Sequence, residues 1–418
     1  MSNYLAQEFK LLWRSNSFKI LTLILALLAL FAIGRGIILS NHIARNFAKI
    51  EQLQIKEREN IAKTYAAAGD AGSAAYFGFE LIKQTPNPFN FITQGQSDLG
   101  PQATRIRSLA LIPQIYESEI INPESLVKGR FDYSFLAVFL LPLFIIAVLF
   151  DLRASETEAG REVFLIANAK SFSRILIMRA ILRMGILLCA ILLPLFMGAL
   201  INSAPMAAIF KIAFYIVLYS SFWVIICGIF IIFGANSRLS ALGQLAIWSV
   251  LLIISPIMVR NWVNFKIPAN QGFALSLEHR EYLHGAWERD RQAEVDRFLK
   301  SYPQFSKTPK LGKTFEWKWY LAFHNNADEE MASSAKEYRM AIENRYKLTK
   351  KSASFLPPIA LQLAIEETTN NGLLNHLEKQ DYIAKKHKEL REAYYSHLFD
   401  GASFNLTEYE AKKRILGD

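Results

Sequence analysis

Three short stretches of this chain gather residue types that chemistry could use. Gly312-Lys313-Thr314 has the ending of a phosphate-binding loop, in which backbone N–H groups cradle phosphates and the lysine reaches toward them. Lys307 stands where the first glycine of that loop belongs, and no strand pattern leads into it, so a nucleotide site is not expected there. His279 and His284 flank Glu281 in HREYLH, but a spacing of five points two imidazoles about 140° apart on a helix. Neither order of His and Glu used by zinc hydrolases is met, so this pair is expected on the polar surface of a helix. His387 and His397 are expected as packing or solvated residues. No nucleophile with a base, and no paired carboxylates, stand out from the charged background, so no catalytic residue, metal or cofactor site is assigned to this chain. The third stretch, FDLRASETEAGREVFLIANAKSFSR (Phe150 to Arg174), has the chemistry of recognition: closely spaced charges followed by four consecutive apolar residues.

The elements around that stretch decide what it can recognise. The chain has 418 residues, is 52% hydrophobic and 13% aromatic, and carries a net charge of +10, too apolar for an ordinary soluble protein. The excess lies in runs of about 20 residues with few or no charges, Arg35 near the end of the first and Arg183 at the entrance of the third, the length a helix needs to cross a bilayer core. Five spans are expected, at 20–39, 133–150, 180–201, 212–233 and 239–259, with tight turns at 202–205 and 234–238 and kinks at Pro142, Pro194 and Pro256. A sixth span has one remaining candidate, Ala353 to Ile365, about 13 residues with Pro357-Pro358 inside it, which is too short to cross. Lys and Arg cluster in 1–19 and 151–179, which places both in the cytoplasm; parity then puts 40–132 and 260–418 on the far side. A retained anchor is favoured over a cleaved signal peptide, because the first apolar run is long and no A-x-A site follows it.

The expected fold is therefore an all-α polytopic membrane protein of about five transmembrane helices, with two mainly helical extracytoplasmic domains and a short cytoplasmic helix. Both cysteines, Cys189 and Cys227, fall in spans, so the outer domains must be held by helix packing. Met331, Ala335, Tyr338, Ile342 and Tyr346 mark one helical face, and Leu377, Ile383, His387, Leu390, Tyr394 and Leu398 mark another. Polar residues within the spans are sparse (Thr22, Ser220, Ser221, Gln244, Ser249, Ser255), without the charged relay of an ion-coupled carrier. The positive charge is mixed with 37 acidic residues and forms no basic stripe with interleaved aromatics, so membrane lipid is the expected partner for it and nucleic acid is not.

In the recognition stretch, Ser155 and Glu158 have the spacing of a capping box, which would start a helix at Glu156 and run it to about Asn168, with Ser171 opening the next helix. Val163, Phe164, Leu165 and Ile166 are consecutive, so one lipid-facing stripe cannot bury them all. An interfacial helix packed under its own bundle is the plain alternative. The SETEAGR turn followed by VFLIANAKSFSRILIMR resembles the coupling-helix signature of type-2 ABC-transporter permeases. SAAYFGFELIKQTPNPFNF, VNFKIPANQGFALSLE and SASFLPPIALQLAIEE resemble landmarks of a bacterial subfamily with large extracytoplasmic insertions.

That resemblance implies a permease subunit in the bacterial inner membrane, multi-pass, with its N-terminus in the cytoplasm. Its partners would be a separate ATP-binding cassette subunit, where ATP and Mg would reside, and a second permease, related or identical, with periplasmic or outer-membrane proteins as further partners. Carried over by position, Ser155, Glu156, Glu158, Gly160, Arg161, Val163 and Phe164 would form the ATPase contact. Type-2 permeases generally have six spans against the five read here, and Ala159-Gly160-Arg161 stands where relatives often have Gly-Thr. The function implied is export, or mechanical work on periplasmic components; the competing reading is a membrane-anchored periplasmic sensor or assembly platform without transport.

Overall fold

The computed structural model describes residues 2–83, 87–93, 95, 103–116, 131–168, 172–233, 236–268 and 271–416. Five of its helices are long and apolar enough to cross a membrane. The first of them, α2 (Asn16–Ile61), is a single helix of 46 residues, about 70 Å at the usual rise per residue. Its apolar half lies in the bundle and its polar half continues beyond it. Ahead of it is α1 (Ser2–Arg14), set off by Ser15, whose hydroxyl accepts from the Phe18 N–H. Leu12 and Glu8 are buried, while Phe9 and Trp13 stack on each other and remain exposed.

The second span begins with a turn at Tyr133–Phe135, passes through a π-helical stretch at Leu136–Leu140 and continues as α5 (Leu141–Leu149). A π stretch frees carbonyls from the regular ladder, and side chains take them here: Tyr219 Oη donates to Val138 O at 2.8 Å and Trp248 Nε1 to Phe139 O at 3.1 Å. The third and fourth spans are α8 (Phe172–Ile201) and α9 (Met206–Phe233), joined by a turn in which Ser203 takes a positive φ. The fifth combines α10 (Ser237–Ser249), a second π stretch at Val250–Ile254 and α11 (Ser255–Lys266). Both of these π stretches run directly into a proline-bearing first turn, at Pro142 and Pro256, while Pro194 sits inside α8; a further π stretch, Ala62–Ala66, extends the outer end of α2. Leu25, Ala29, Leu141, Ile145, Leu187, Ile191, Ile216 and Trp223 belong to the core of this bundle.

At one end of the bundle the remaining residues form a helical body. Its elements are α3 (Ala71–Phe77), a two-stranded antiparallel sheet of β1 (Glu80–Lys83) and β2 (Ala103–Ile106), α4 (Leu111–Tyr116), α12 (Gln271–Gly285), α13 (Arg291–Ser301), α14 (Trp317–Ala353), α15 (Pro357–Thr368), α16 (Leu373–Phe399) and α17 (Leu406–Leu416). The two outer regions read from the sequence share an apolar cluster: Ile61, Ala74 and Ile106 from the first pack with Leu321, Leu390, Tyr394 and Phe404 from the second. The second region also holds an apolar cluster of its own, around Phe298, Trp319, Phe323 and Phe399. The face expected on α16 is buried at Leu377, Ile383, His387, Leu390 and Tyr394; on α14, of the five residues named, Tyr346 alone is buried.

Two contacts seat the body on the bundle. Phe91 wedges between the first and third spans where both carry glycine: a Cβ at Gly36 would lie 2.6 Å from Phe91 Cα, and one at Gly198 would lie 2.8 Å from its ring. The loop bearing Phe91 is held by Asn371, whose amide donates to Thr93 O at 2.7 Å. The second contact is α15, which contains most of the candidate sixth span. At 12 residues it is too short to cross a bilayer, and it lies against the bundle with Leu361 and Ile365 in the shared core.

Candidate functional site

At the bundle end opposite the body, residues 151–168 join the second and third spans. The single helix expected from Glu156 to Asn168 is instead two: α6 (Ala154–Glu158) and α7 (Glu162–Asn168), divided at Gly160, which has φ +69°. That left-handed conformation is cheap only without a Cβ. The expected capping box is likewise not formed. The helix starts at Ala154, the Ser155 hydroxyl donates back to Asp151 O at 2.7 Å, and Glu158 Oε1 accepts the Ser237 N–H at 2.8 Å. Ser171, read as the start of the following helix, lies outside the described residues.

Charged pairs brace this segment from several sides. Glu156 accepts from Arg161 at 2.7 Å and from Arg179 of α8 at 2.9 Å, and Arg179 also pairs with Glu8 of α1 at 3.0 Å. Arg153 pairs with Glu162 at 2.9 Å and donates to Ile232 O near the end of α9. The Glu162 carboxyl is lowered from its ordinary value chiefly by the Thr157 hydroxyl, with Arg153 assisting, against the opposing effect of burial. Through Glu158 and Ser237 the segment also touches the start of α10. The third, fourth and fifth spans thus all meet a piece of chain under 20 residues long, and the N-terminal helix reaches it through the shared partner Arg179.

The apolar residues of α7 are left outward. Val163 is 76% exposed, Phe164 69% and Ile166 53%, with Leu165 half-buried. Of the seven residues singled out from the sequence, Ser155, Glu156, Glu158 and Arg161 build the brace, Gly160 makes the bend, and Val163 and Phe164 form the exposed tip. Sequence reasoning missed Arg153, Glu162, Arg179 and Glu8. Of these, Glu8 carried the clearest signal, an acidic residue within an amphipathic N-terminal stretch.

The other stretches fall in the body. Gly312-Lys313-Thr314 lies in the loop before α14, where the Gly312 N–H donates to the Glu316 carboxylate. His279, expected on a polar surface, is fully buried and its Nε2 lies 3.3 Å from Asp328 Oδ1, which corrects that expectation. Asp328 also accepts the Leu111 N–H at 2.9 Å and pairs with the buried Arg391, so one carboxylate ties α4, α12, α14 and α16 together. His324 Nδ1 accepts the Ala110 N–H at 3.2 Å, and His387 Nε2 donates to Leu109 O at 2.6 Å.

Burial alone would raise the Asp328 carboxyl, but Arg391 and then the His279 hydrogen bond outweigh it and hold it at about 2. Burial, reinforced by Arg391, pushes His324 and His387 down to about 3, so both are neutral. Among the described residues no group of three or more His, Cys, Asp or Glu is arranged to hold a metal ion.

A family model described as a domain of unknown function (DUF3526) matches residues 273–414, which fall within the body-forming part of the chain from α12 to α17. No curated protein and no solved structure matches the chain.

Proposed function

We propose that this chain is the membrane-spanning permease subunit of an ATP-binding cassette transporter in a bacterial inner membrane, with residues 1–19 and 151–179 in the cytoplasm. The reading rests on the segment 151–168 and on its resemblance to a coupling helix. ATP and Mg act in a separate subunit, which receives Val163 and Phe164 in a groove; a second permease completes the membrane assembly.

The observation that carries this reading is the combination of an exposed apolar tip with a braced base. Three large apolar side chains held outward on a seven-residue helix are poorly matched to water, and the ion pairs and hydrogen bonds behind them would transmit a push to α8, α9 and α10 together. A lever needs both properties: a surface to grip and a stiff connection to what it moves.

Export and mechanical work on periplasmic components are both consistent with that lever. The continuous α2, which runs from the bundle into the core of the body, favours mechanical work, since tilting one end of a rigid helix moves the other. Gentle extraction of the tagged chain from its native membrane tests the reading. Wild type is expected to bring an ATP-binding subunit with it, and the double variant Glu158→Lys, Phe164→Ala to lose that subunit. Recovery of the chain without any such subunit, and no effect of the variant, would favour the anchored sensor or platform.

A further inference from the structure

Where the body meets the fifth span, the helices leave a cavity of about 420 Å³, within the range of roughly 300–1,000 Å³ that small-molecule sites occupy. Its walls are apolar: Val138 and Phe139 from the second span, Leu252 and Val263 from the fifth, Ile359 and Leu363 from α15. Its origin is local. Val138 and Phe139 lie in one π stretch and Leu252 lies in the other, so both membrane walls are irregular at this level. Pro256, also in the lining, opens the helix segment that follows the second π stretch. Such bulges recur where a helix must make room for a ligand.

Polar groups converge at one side. Arg345 lines the cavity and is fixed in place by hydrogen bonds to Ile267 O and, at 2.6 Å, to Asn264 Oδ1. Arg260 lines it too, is exposed, and has no hydrogen bond or ion pair among the described residues. It follows directly on the apolar run Leu239 to Val259, the level at which a bilayer's headgroups begin. The opposing carboxyl is Glu366, pushed up by burial against the hydrogen bond from Gln362 at 2.6 Å, and it contributes less negative charge than a free carboxylate. Two guanidinium groups beside an apolar chamber select a ligand with an apolar body and an anionic head, because Arg pairs with phosphate and carboxylate through parallel hydrogen bonds.

We propose that this cavity binds an anionic amphiphile, its chain lying against Val138, Leu252 and Leu363 and its phosphate or carboxylate meeting Arg260, with Arg345 behind it. The site stands at the bundle end far from residues 151–168 and does not depend on an ATPase partner. Its test therefore succeeds or fails independently of the transporter reading.

The full chain in nanodiscs of equal phosphatidylglycerol and phosphatidylcholine is re-extracted, and the retained lipid is counted by native mass spectrometry. Oleate binding to the detergent-purified chain is measured in parallel. One tightly held phosphatidylglycerol or oleate per chain is expected. Leu363→Trp, which fills the chamber, should abolish retention. Arg260→Gln, at an exposed position that the fold does not use, should weaken it about tenfold. Retention of phosphatidylglycerol but not oleate identifies a bilayer lipid as the occupant; retention of both identifies a site that reads chain and charge. Equal retention of phosphatidylcholine, binding of neither probe, or indifference to Arg260→Gln would overturn the proposal.

Discussion

Two regions of this protein use the same pairing of arginine with carboxylate to opposite ends. Around Asp328, itself half-buried, the arginine is sealed inside the body: Arg391 is 4% exposed, and the histidines beside it are neutral. Around Glu156 the partners lie at the edge of the bundle, and the apolar residues that a folded core would normally claim, Val163 and Phe164, are outside them. In the first region the ion pair is surrounded by the structure it holds together. In the second the apolar side chains stay at the surface, the feature on which the proposed docking role rests. The difference teaches that burial of the neighbouring apolar residues, and not the ion pair itself, is what sets the two regions apart, and it is the exposed set on which the docking proposal rests.

The comparison is broken most severely by Asp328→Ala. It leaves the Arg391 charge buried without its carboxylate and removes the acceptor of the Leu111 N–H, a loss of about 3–5 kcal/mol. Thermal denaturation of the full chain in detergent reads it. Replacing both partners, as Asp328→Leu with Arg391→Leu, should recover much of that loss, because removing the pair as a unit strands no charge.

Acid acts on the same region in a defined order. His324 and His387 have folded values of about 3, below the ordinary value near 6.5, so the unfolded chain binds more protons between those limits. Stability should fall as pH drops from about 6.5 toward 3. Asp328, depressed to about 2, adds a further loss as pH falls from about 4 through 2. His387→Gln, which can still donate to Leu109 O, should flatten the upper part of the curve. An unchanged pH profile for that variant would mean that His387 is not buried neutral.

At the other region a backbone substitution sharpens the comparison with a smaller energetic effect. Gly160 has positive φ and open space around the position of a Cβ, so Gly160→Val costs only the conformational strain, about 1–2 kcal/mol. Gly160→Asn, a residue that tolerates this region, should cost much less. Recovery of the partner subunit should follow the same order, Asn near wild type and Val reduced, while the unfolding temperature of the body stays the same.

Much of this was legible in the sequence, and what was hidden has physical causes. Apolar runs with few or no charges marked all five long helices, because a bilayer leaves few alternatives for such runs. The helix read as opening at Ser171 and leading into the third span is α8, described from Phe172, whose first turns carry Arg174 and Arg179 ahead of the apolar run. The capping box failed because a serine can donate backward as readily as it caps forward, and Ser155 uses Asp151 O. The division at Gly160 was marked by the glycine itself. His279 was misjudged because its spacing was compared with His284, when its partner was Asp328, 49 residues away. The spacings that did carry information were His324 with Asp328 and His387 with Arg391, each four residues apart on one helical face. The apolar cluster shared by the two outer regions had no sequence signal, because it depends on contacts between distant segments.

The central claim is that the tip of α7 is gripped by another protein on the cytoplasmic side. Its most direct test is maleimide labelling of Phe164→Cys in inside-out membrane vesicles, with Cys189 and Cys227 replaced by alanine. In membranes containing the native partners, position 164 should be protected from the reagent, and it should become reactive when the chain is expressed alone. Equal and complete labelling in both membranes, or protection in both, would contradict it.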